Sequence, residues 1–272
     1  MTFEPLRHSI EASMFVRQAG PQAADVVLVW IHGLGESGLC FEAIVSHAAL
    51  AGYLSLVPDL PGYGRSPWAS PPLSLGATAD LLSRWLEARG ERDVVLVGHS
   101  MGGVVATMLA ERLPLMVRGV IDVDGNLSVD DCTYSARAAA QPLDEFVAPG
   151  GGYSALQDDI YRAGVDDEAL RGYYVALRLA DPRVYHAHSR ELVSLSGAEG
   201  LAARLAALRA PKTYIAGVPR GASARSLELL EERGVEWRGV EPSGHWPFLD
   251  QPDHFATKVV QFVEDVVLRQ AR

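Results

Sequence analysis

Cysteines, basic clusters and long apolar runs are all scarce in this chain. Cys40 and Cys132 are its two cysteines, too few for a disulfide framework and without the clustered spacing of a zinc site. No Lys/Arg-rich run occurs and the formal net charge is -10, which argues against a nucleic-acid partner. Apolar stretches such as residues 26–31 have strand length, far below the roughly 20 residues that cross a bilayer. We therefore expect no nucleic-acid partner, no membrane partner and no metal site.

An export signal is also missing from the first residues. Residues 1–20 mix charged and apolar side chains and lack the uninterrupted apolar core of a secretory signal. With 272 residues, of which 48% are hydrophobic and 21% charged, the chain can bury a large core. We expect a soluble, cytoplasmic protein of one α/β domain plus an insertion, and the sequence leaves open whether it forms a homo-oligomer.

Short β-branched runs alternate with amphipathic segments along the chain. This pattern predicts an α/β fold, in which a mostly parallel, eight-stranded type of sheet is flanked by helices. The predicted strands lie near residues 13–16, 25–32, 54–58, 93–98, 119–124, 212–216 and 236–241. The predicted helices lie near residues 41–51, 75–89, 101–113, 223–233 and 253–269.

One region interrupts this alternation. Residues 127–195 show no strong strand pattern, are polar, and have helical spacing near residues 169–179 and 184–195. The sequence therefore predicts a core of residues 1–126 and 196–272, with residues 127–195 forming a helical cap over the carboxyl edge of the sheet, where ligands bind in open α/β folds. The alternative is a helical extension that only packs on the core.

The most informative segment is residues 94–103, where an apolar run breaks into a turn around Ser100 and resumes as a helix. A serine presented at the tip of such a turn needs small neighbours, which Gly98 and Gly102 supply. The helix that follows directs its free N–H groups toward the serine, so the Met101 N–H is a candidate oxyanion donor.

Two further segments carry groups that a serine hydrolase needs. Residues 32–35 end an apolar run in a glycine-rich turn, which makes the Leu34 N–H a second candidate oxyanion donor. After the last predicted strand, the loop at residues 242–252 carries His245, a candidate general base. The candidates for substrate contact are His32, Gly33, His99 and Trp246.

Two of those candidates have plainer alternatives. His99 adjoins the serine, and adjacent residues on a tight turn diverge, which favours packing or hydrogen bonding over a role as the base. Trp246 either walls the pocket or anchors the loop.

Four motifs in this order resemble those of the α/β-hydrolase fold superfamily, with a cap inserted after the sixth core strand. They are residues 32–35, 58–66, 98–103 and 244–252. The resemblance implies that Ser100 is the nucleophile and His245 the base, with an acid between them in the chain.

The acid departs from the common family pattern. Most such hydrolases carry it a few residues after the strand matched here by residues 213–217, but residues 218–222 contain no acid. Some members place it at the end of the preceding strand, which makes Asp124 the leading candidate here. Asp122, another carboxylate or a dyad are the alternatives, and Asp124 could instead organise its turn. Asp122 and Asp124 are separated by one residue on the predicted strand, so we expect their side chains to lie on the same face of the sheet.

These residues predict a serine hydrolase that cleaves a carboxylic ester or thioester of a small to medium, mostly apolar acyl substrate through an acyl-enzyme. The partner is a small-molecule substrate, and the chemistry requires no cofactor. The same groups also suit carbon–carbon bond hydrolysis, lactone opening, perhydrolysis or cyanohydrin cleavage. A non-catalytic ligand-binding receptor on the same fold is a third hypothesis.

Overall fold

The centre of the molecule is a sheet, and the computed structural model describes residues 6–265 of the chain. Within these residues the strands are β1 (Arg7–Glu11), β2 (Met14–Ala19), β3 (Val27–Ile31), β4 (Leu54–Pro58), β5 (Val94–His99), β6 (Val117–Val123), β7 (Lys212–Pro219) and β8 (Trp237–Ser243). Their order in the sheet is β1-β2-β4-β3-β5-β6-β7-β8. The pairs β1–β2 and β2–β4 are antiparallel and the remaining pairs are parallel, which confirms the predicted α/β architecture.

Helices connect and cover these strands. Over the same residues they are α1 (Glu42–Val45), α2 (Leu75–Arg89), α3 (Met101–Arg112), α4 (Thr133–Ala139), α5 (Leu143–Val147), α6 (Gly152–Ala163), α7 (Glu168–Leu177), α8 (Pro182–Gly197), α9 (Leu201–Ala207), α10 (Ala224–Glu232), α11 (Pro247–Asp250) and α12 (Pro252–Val263). None of the helices within residues 6–265 combines the length and the apolar character needed to cross a bilayer.

The register of the central strands brings the predicted functional residues to one edge. Val97 of β5 pairs with Trp30 of β3 on one side and with Ile121 of β6 on the other. All residues of β3 and β5 are buried, as expected for apolar strands covered on both faces. Because parallel strands end at the same edge, the turns that follow β3, β5 and β6 lie side by side.

One predicted element differs from the observed one, and the first strand was not predicted. Residues 41–51 form the short helix α1 and a 3-10 turn, because the extended backbone of His47 (ψ 137°) interrupts the helix. The helix predicted near residues 253–269 corresponds to α12, whose α-helical part runs to Val263, and residues 266–269 lie outside the described residues. Strand β1 alternates partly buried and exposed residues and carries four polar or charged side chains among five, a weak strand signal.

Between β6 and β7 the described chain contains helices and 3-10 turns but no strand. Helix α8 is joined to the loop after β4, because the Tyr63 hydroxyl lies 2.8 Å from His188 Nδ1 and the Asp181 N–H donates to the Gly62 carbonyl at 2.8 Å. The division into a core and a cap at residues 127–195 remains a prediction.

Candidate active site

Ser100 lies in the turn between β5 and α3 with a positive φ of 54°. This backbone conformation is strained for a residue with a Cβ atom. The Ser100 N–H donates to the Val123 carbonyl at 2.9 Å, which fixes the turn against the end of β6. A Cβ atom on Gly98 would collide with the Gly102 carbonyl, and one on Gly102 would collide with the Ile31 carbonyl. Close backbone contacts therefore explain why both positions are glycine.

A cavity of about 430 Å³ contains Ser100 in its lining, together with residues of α4, α7 and α8. Its large aliphatic and aromatic lining residues, apart from His245, are Leu34, Tyr134, Leu170, Tyr173, Leu192 and Trp246. Its charged lining residues outside the catalytic candidates and Glu36 are Asp130, Asp131, Asp167, Asp250 and Arg220. The cavity thus combines an apolar wall with a mainly acidic set of charged groups.

His245 lies in the loop after β8 and lines the same cavity. Its loop is fixed by the Asp250 carboxylate, which accepts from the Gly244 N–H at 2.7 Å and from the Ser243 hydroxyl at 3.0 Å. Burial lowers the pKa of His245 to about 3, with a further lowering by the His99 ring and opposition from nearby carboxylates. The imidazole is therefore neutral at pH 7, which is the form that accepts a proton.

Asp124 places its carboxylate 4.0 Å from His245 Nδ1. The carboxylate accepts from the Gly217 N–H at 3.1 Å, and a Cβ atom on Gly221 would overlap it. Burial raises the pKa of Asp124, while hydrogen bonds from the Gly217 and Ala222 N–H groups oppose that rise. Asp124 therefore occupies the space beside residues 218–222, where the common family acid is missing.

Asp122 has different surroundings from Asp124. Its carboxyl group packs where a Cβ atom on Gly103 or Gly125 would lie, and its Oδ1 atom has no hydrogen-bond partner among the described residues. Burial raises the pKa of Asp122 well above the ordinary value. The expected common face does not extend to Asp124, because β6 ends at Val123 and Asp124 has a φ of 44°.

The two candidate oxyanion donors flank the turn around Ser100. Met101 is the first residue of α3, so its N–H has no carbonyl one turn earlier in the helix. Leu34 lines the cavity, and within residues 6–265 its N–H donates to no protein acceptor. Both N–H groups are thus available to a ligand.

The four candidates for substrate contact separate into two groups. Trp246 lines the cavity, whereas His32, Gly33 and His99 are not among its lining residues. His32 is fully buried, accepts from the Leu60 N–H through Nε2 at 3.0 Å, and has Nδ1 2.9 Å from the Gly33 carbonyl. Burial lowers its pKa, and the two contacts fix a neutral tautomer. The structure therefore gives His32 a role in holding loops together.

Sequence reasoning missed two polar residues next to the catalytic candidates. Asn126 Oδ1 accepts a hydrogen bond from the Ser100 hydroxyl at 3.4 Å, and Glu36 lines the cavity and contacts His99. Asn126 follows Asp124 by two residues, which was a usable local signal. Glu36 offered only its place just after the turn at residues 32–35, because its partners are distant in the chain.

Comparison with known proteins gives a family and several relatives. The alpha/beta hydrolase family matches residues 26–258 of the chain. A 2-succinyl-6-hydroxy-2,4-cyclohexadiene-1-carboxylate synthase from Yersinia pestis is 29% identical over 261 residues, covering 89% of each chain. Lipase LipV from Mycobacterium tuberculosis is 37% identical over 117 residues, and that match spans only 43% of each chain. The structure of a thermophilic esterase from Thermogutta terrifontis superimposes with a TM-score of 0.74 at 18% identity, covering 96% of this chain and 99% of that one.

Proposed function

We propose, from the premise that this chain belongs to the alpha/beta hydrolase family, that it is a serine hydrolase acting through an acyl-enzyme. Its substrate is a carboxylic ester or thioester with a small to medium, mostly apolar acyl group. The observation that carries the proposal is the convergence of Ser100, His245 and Asp124 on one cavity, with the serine on a strained strand-to-helix turn. The chain is similar in sequence to a lipase and shares its fold with an esterase, and both similarities support ester hydrolysis.

In the proposed reaction, His245 Nε2 takes the Ser100 proton while the serine oxygen attacks the carbonyl carbon of the substrate. The Leu34 and Met101 N–H groups stabilise the oxyanion that forms. The bond from the carbonyl carbon to the leaving oxygen or sulfur then breaks as the imidazolium protonates that atom, so an alcohol or thiol departs and an acyl group stays on Ser100. Water attacks the acyl carbon while the same imidazole takes its proton, and as the second tetrahedral intermediate collapses the imidazolium returns the proton to Ser100 Oγ and the acid is released.

Asp124 is proposed to orient and stabilise the His245 imidazolium during this cycle. The separation of 4.0 Å between Asp124 Oδ2 and His245 Nδ1 is too long for a hydrogen bond. The two groups must approach by about 1 Å, and catalytic hydrogen bonds commonly tighten in this way when substrate binds. The buried carboxylate gains a cationic partner when the imidazole takes the proton, and that attraction drives the approach.

The charged lining favours neutral substrates over anionic ones. Asp130, Asp131, Asp167 and Asp250 line the cavity, with Arg220 as the opposing cation. A substrate carboxylate would enter a mainly negative field, which raises its free energy in the site. Although the Yersinia pestis relative is named for a carboxylate product, we therefore propose a neutral ester or thioester for this chain.

The helices between β6 and β7 are proposed to act as a lid. Tyr134 of α4, Leu170 and Tyr173 of α7, and Leu192 of α8 supply much of the apolar wall around Ser100. Side chains from this insertion thus define the volume open to the acyl group. Substrate preference should accordingly change with substitutions in α4, α7 and α8 more than with substitutions elsewhere.

The proposal is tested by ester hydrolysis. p-Nitrophenyl esters of graded acyl length should be hydrolysed by the wild-type protein, with activity falling for acyl chains that exceed the cavity. Ser100→Ala should remove this activity while the circular dichroism spectrum stays unchanged. A folded wild-type protein that binds these esters without Ser100-dependent turnover would instead support the ligand-binding receptor.

A further inference from the structure

A buried carboxylate connects two loops of the candidate site. Glu36 is only 2% exposed and accepts from the Gly33 N–H at 2.7 Å and from Trp246 Nε1 at 2.5 Å. Its Oε2 atom also lies 3.0 Å from Nδ1 of His99, which is fully buried. One side chain therefore holds the turn after β3, the residue after His245 and the residue before Ser100.

The contacts of His99 determine its protonation. Its Nε2 atom lies 2.7 Å from the His245 carbonyl, and a carbonyl can only accept, so Nε2 carries a proton. Burial by itself raises the pKa of Glu36, but the His99 ring and the N–H donors outweigh it and lower that pKa to about 2. The two Glu36 oxygens accept N–H groups from Gly33 and Trp246, which is how an ionised carboxylate is held. An ionised carboxylate has no proton to donate, so the 3.0 Å contact with Nδ1 places a proton on that nitrogen as well as on Nε2.

We propose that Glu36 and His99 form a carboxylate–imidazolium pair that positions the oxyanion turn and the histidine loop around Ser100. This inference rests on the proposed serine-hydrolase function. The pair touches no reacting atom in the proposed reaction, so both are positioning residues. Glu36 holds the N–H of Gly33, the residue before Leu34. His99, the residue before the nucleophile, holds the His245 carbonyl.

Charge is essential to this arrangement because the surroundings are buried. An uncharged side chain at 36 could not satisfy the Gly33 N–H, Trp246 Nε1 and His99 Nδ1 donors together, and each unsatisfied buried donor costs free energy. Removing one charge of a buried pair also leaves the other without compensation. The two loops would then separate from Ser100, so the rate of the chemical step would fall more than substrate affinity.

The test combines kinetics with nitrogen-15 NMR of the histidine rings. Glu36→Gln, His99→Gln and the double variant are compared with Asp181→Asn, a matched control that neutralises a buried, Arg183-paired carboxylate outside the cavity lining. With p-nitrophenyl butyrate, both single variants should lower kcat at least tenfold and change KM less than threefold. The double variant should be no slower than the slower single variant, because the two residues act as a unit. Asp181→Asn should keep the wild-type kcat.

The NMR measurement is made on Ser100→Ala at pH 7, so it does not depend on turnover. It should show a ring with both nitrogens protonated whose signal disappears when His99→Gln is added. Finding a singly protonated His99 ring, or folded Glu36→Gln with a wild-type kcat, would overturn the proposal. If Glu36→Gln does not fold, the kinetics of His99→Gln and the NMR spectrum test the proposal. If the wild-type protein shows no Ser100-dependent turnover, the proposed function is contradicted. The NMR spectrum still tests the Glu36–His99 pair in that case.

Discussion

Two aspartates near the end of β6 illustrate what single residues contribute to this site. The sequence showed that residues 218–222 lack an acid and made Asp124 the leading candidate, with Asp122 as one of the alternatives. The structure separates them, because the positive φ of Asp124 directs its carboxylate to Gly217, near His245, while Asp122 packs against Gly103. This distinction depends on a local change of backbone direction that strand periodicity does not reveal.

Asp124→Asn should lower kcat by about 10³- to 10⁴-fold, because the imidazolium loses its carboxylate partner. Asp122→Asn is the matched control and should keep kcat within about threefold, since Asp122 packs against Gly103 and Gly125 and an amide has nearly the same size and shape as its carboxyl group. Steady-state kinetics on folded variants distinguish them. Near-wild-type turnover by Asp124→Asn would show that another carboxylate acts.

Glu36 should stabilise the fold in a pH-dependent way. Its pKa of about 2 lies below the ordinary 4.5, so its contribution is complete above about pH 4.5 and is lost as the pH falls toward 2. The difference in unfolding free energy between wild type and Glu36→Gln should be about 3 kcal/mol at pH 7 and narrow by about 2 kcal/mol at pH 3. Urea denaturation at both pH values measures it, and a difference independent of pH would contradict the ionised state.

Glu36 also shows why part of the site escaped sequence analysis. Its partners His99 and Trp246 lie 63 and 210 residues away in the chain, and no local pattern connects them. Ser100 and His245 were accessible because each sits in a motif with its own local signal.

At the scale of elements, the strand-to-helix turn between β5 and α3 was the best predicted part of the fold. Its apolar strand, small residues and helix follow one another in the sequence, so local reasoning was sufficient. Strand β1 was missed because its polar residues gain strand geometry only by pairing with β2, as in Ser9 opposite Val16. Pairing across a sheet is a tertiary effect that overrides local preference.

Two glycine-to-alanine substitutions test the backbone packing of that turn. Gly102→Ala should destabilise the fold by about 2 kcal/mol or more and remove esterase activity, since the new Cβ atom would meet the Ile31 carbonyl. Gly172→Ala, inside α7 with no atom within 4 Å of the new Cβ, should stabilise by about 0.5–1 kcal/mol. Thermal unfolding compares them, and equal melting temperatures would contradict the packing argument.

At the scale of the whole molecule, the fold class followed from alternating patterns, while the character of the cavity did not. The cavity around Ser100 is lined by residues from α4, α7 and α8 and from the loops after β3, β6, β7 and β8. These segments meet only after folding. The sequence therefore predicted a hydrolase and its candidate catalytic groups, but the acidic lining emerged from the structure.

That lining should discriminate between substrates of equal length. p-Nitrophenyl butyrate should be hydrolysed with a kcat/KM at least about tenfold above that of mono-p-nitrophenyl succinate, which differs by a terminal carboxylate. High salt should lower the ratio of the two kcat/KM values by screening the charges. Asp130→Asn should lower it too, because it removes one exposed charge from the lining. Equal kcat/KM values for the two esters at low salt would contradict a repulsive cavity.

The central claim is that Ser100 is a nucleophile activated by His245. A fluorophosphonate probe tests it directly, because the probe forms a covalent bond with an activated serine. The wild-type protein should gain one probe mass, located at Ser100 by peptide mass spectrometry, while folded Ser100→Ala should gain none and His245→Ala should react far more slowly. Absence of labelling in folded wild-type protein, or labelling at another residue, would contradict the account.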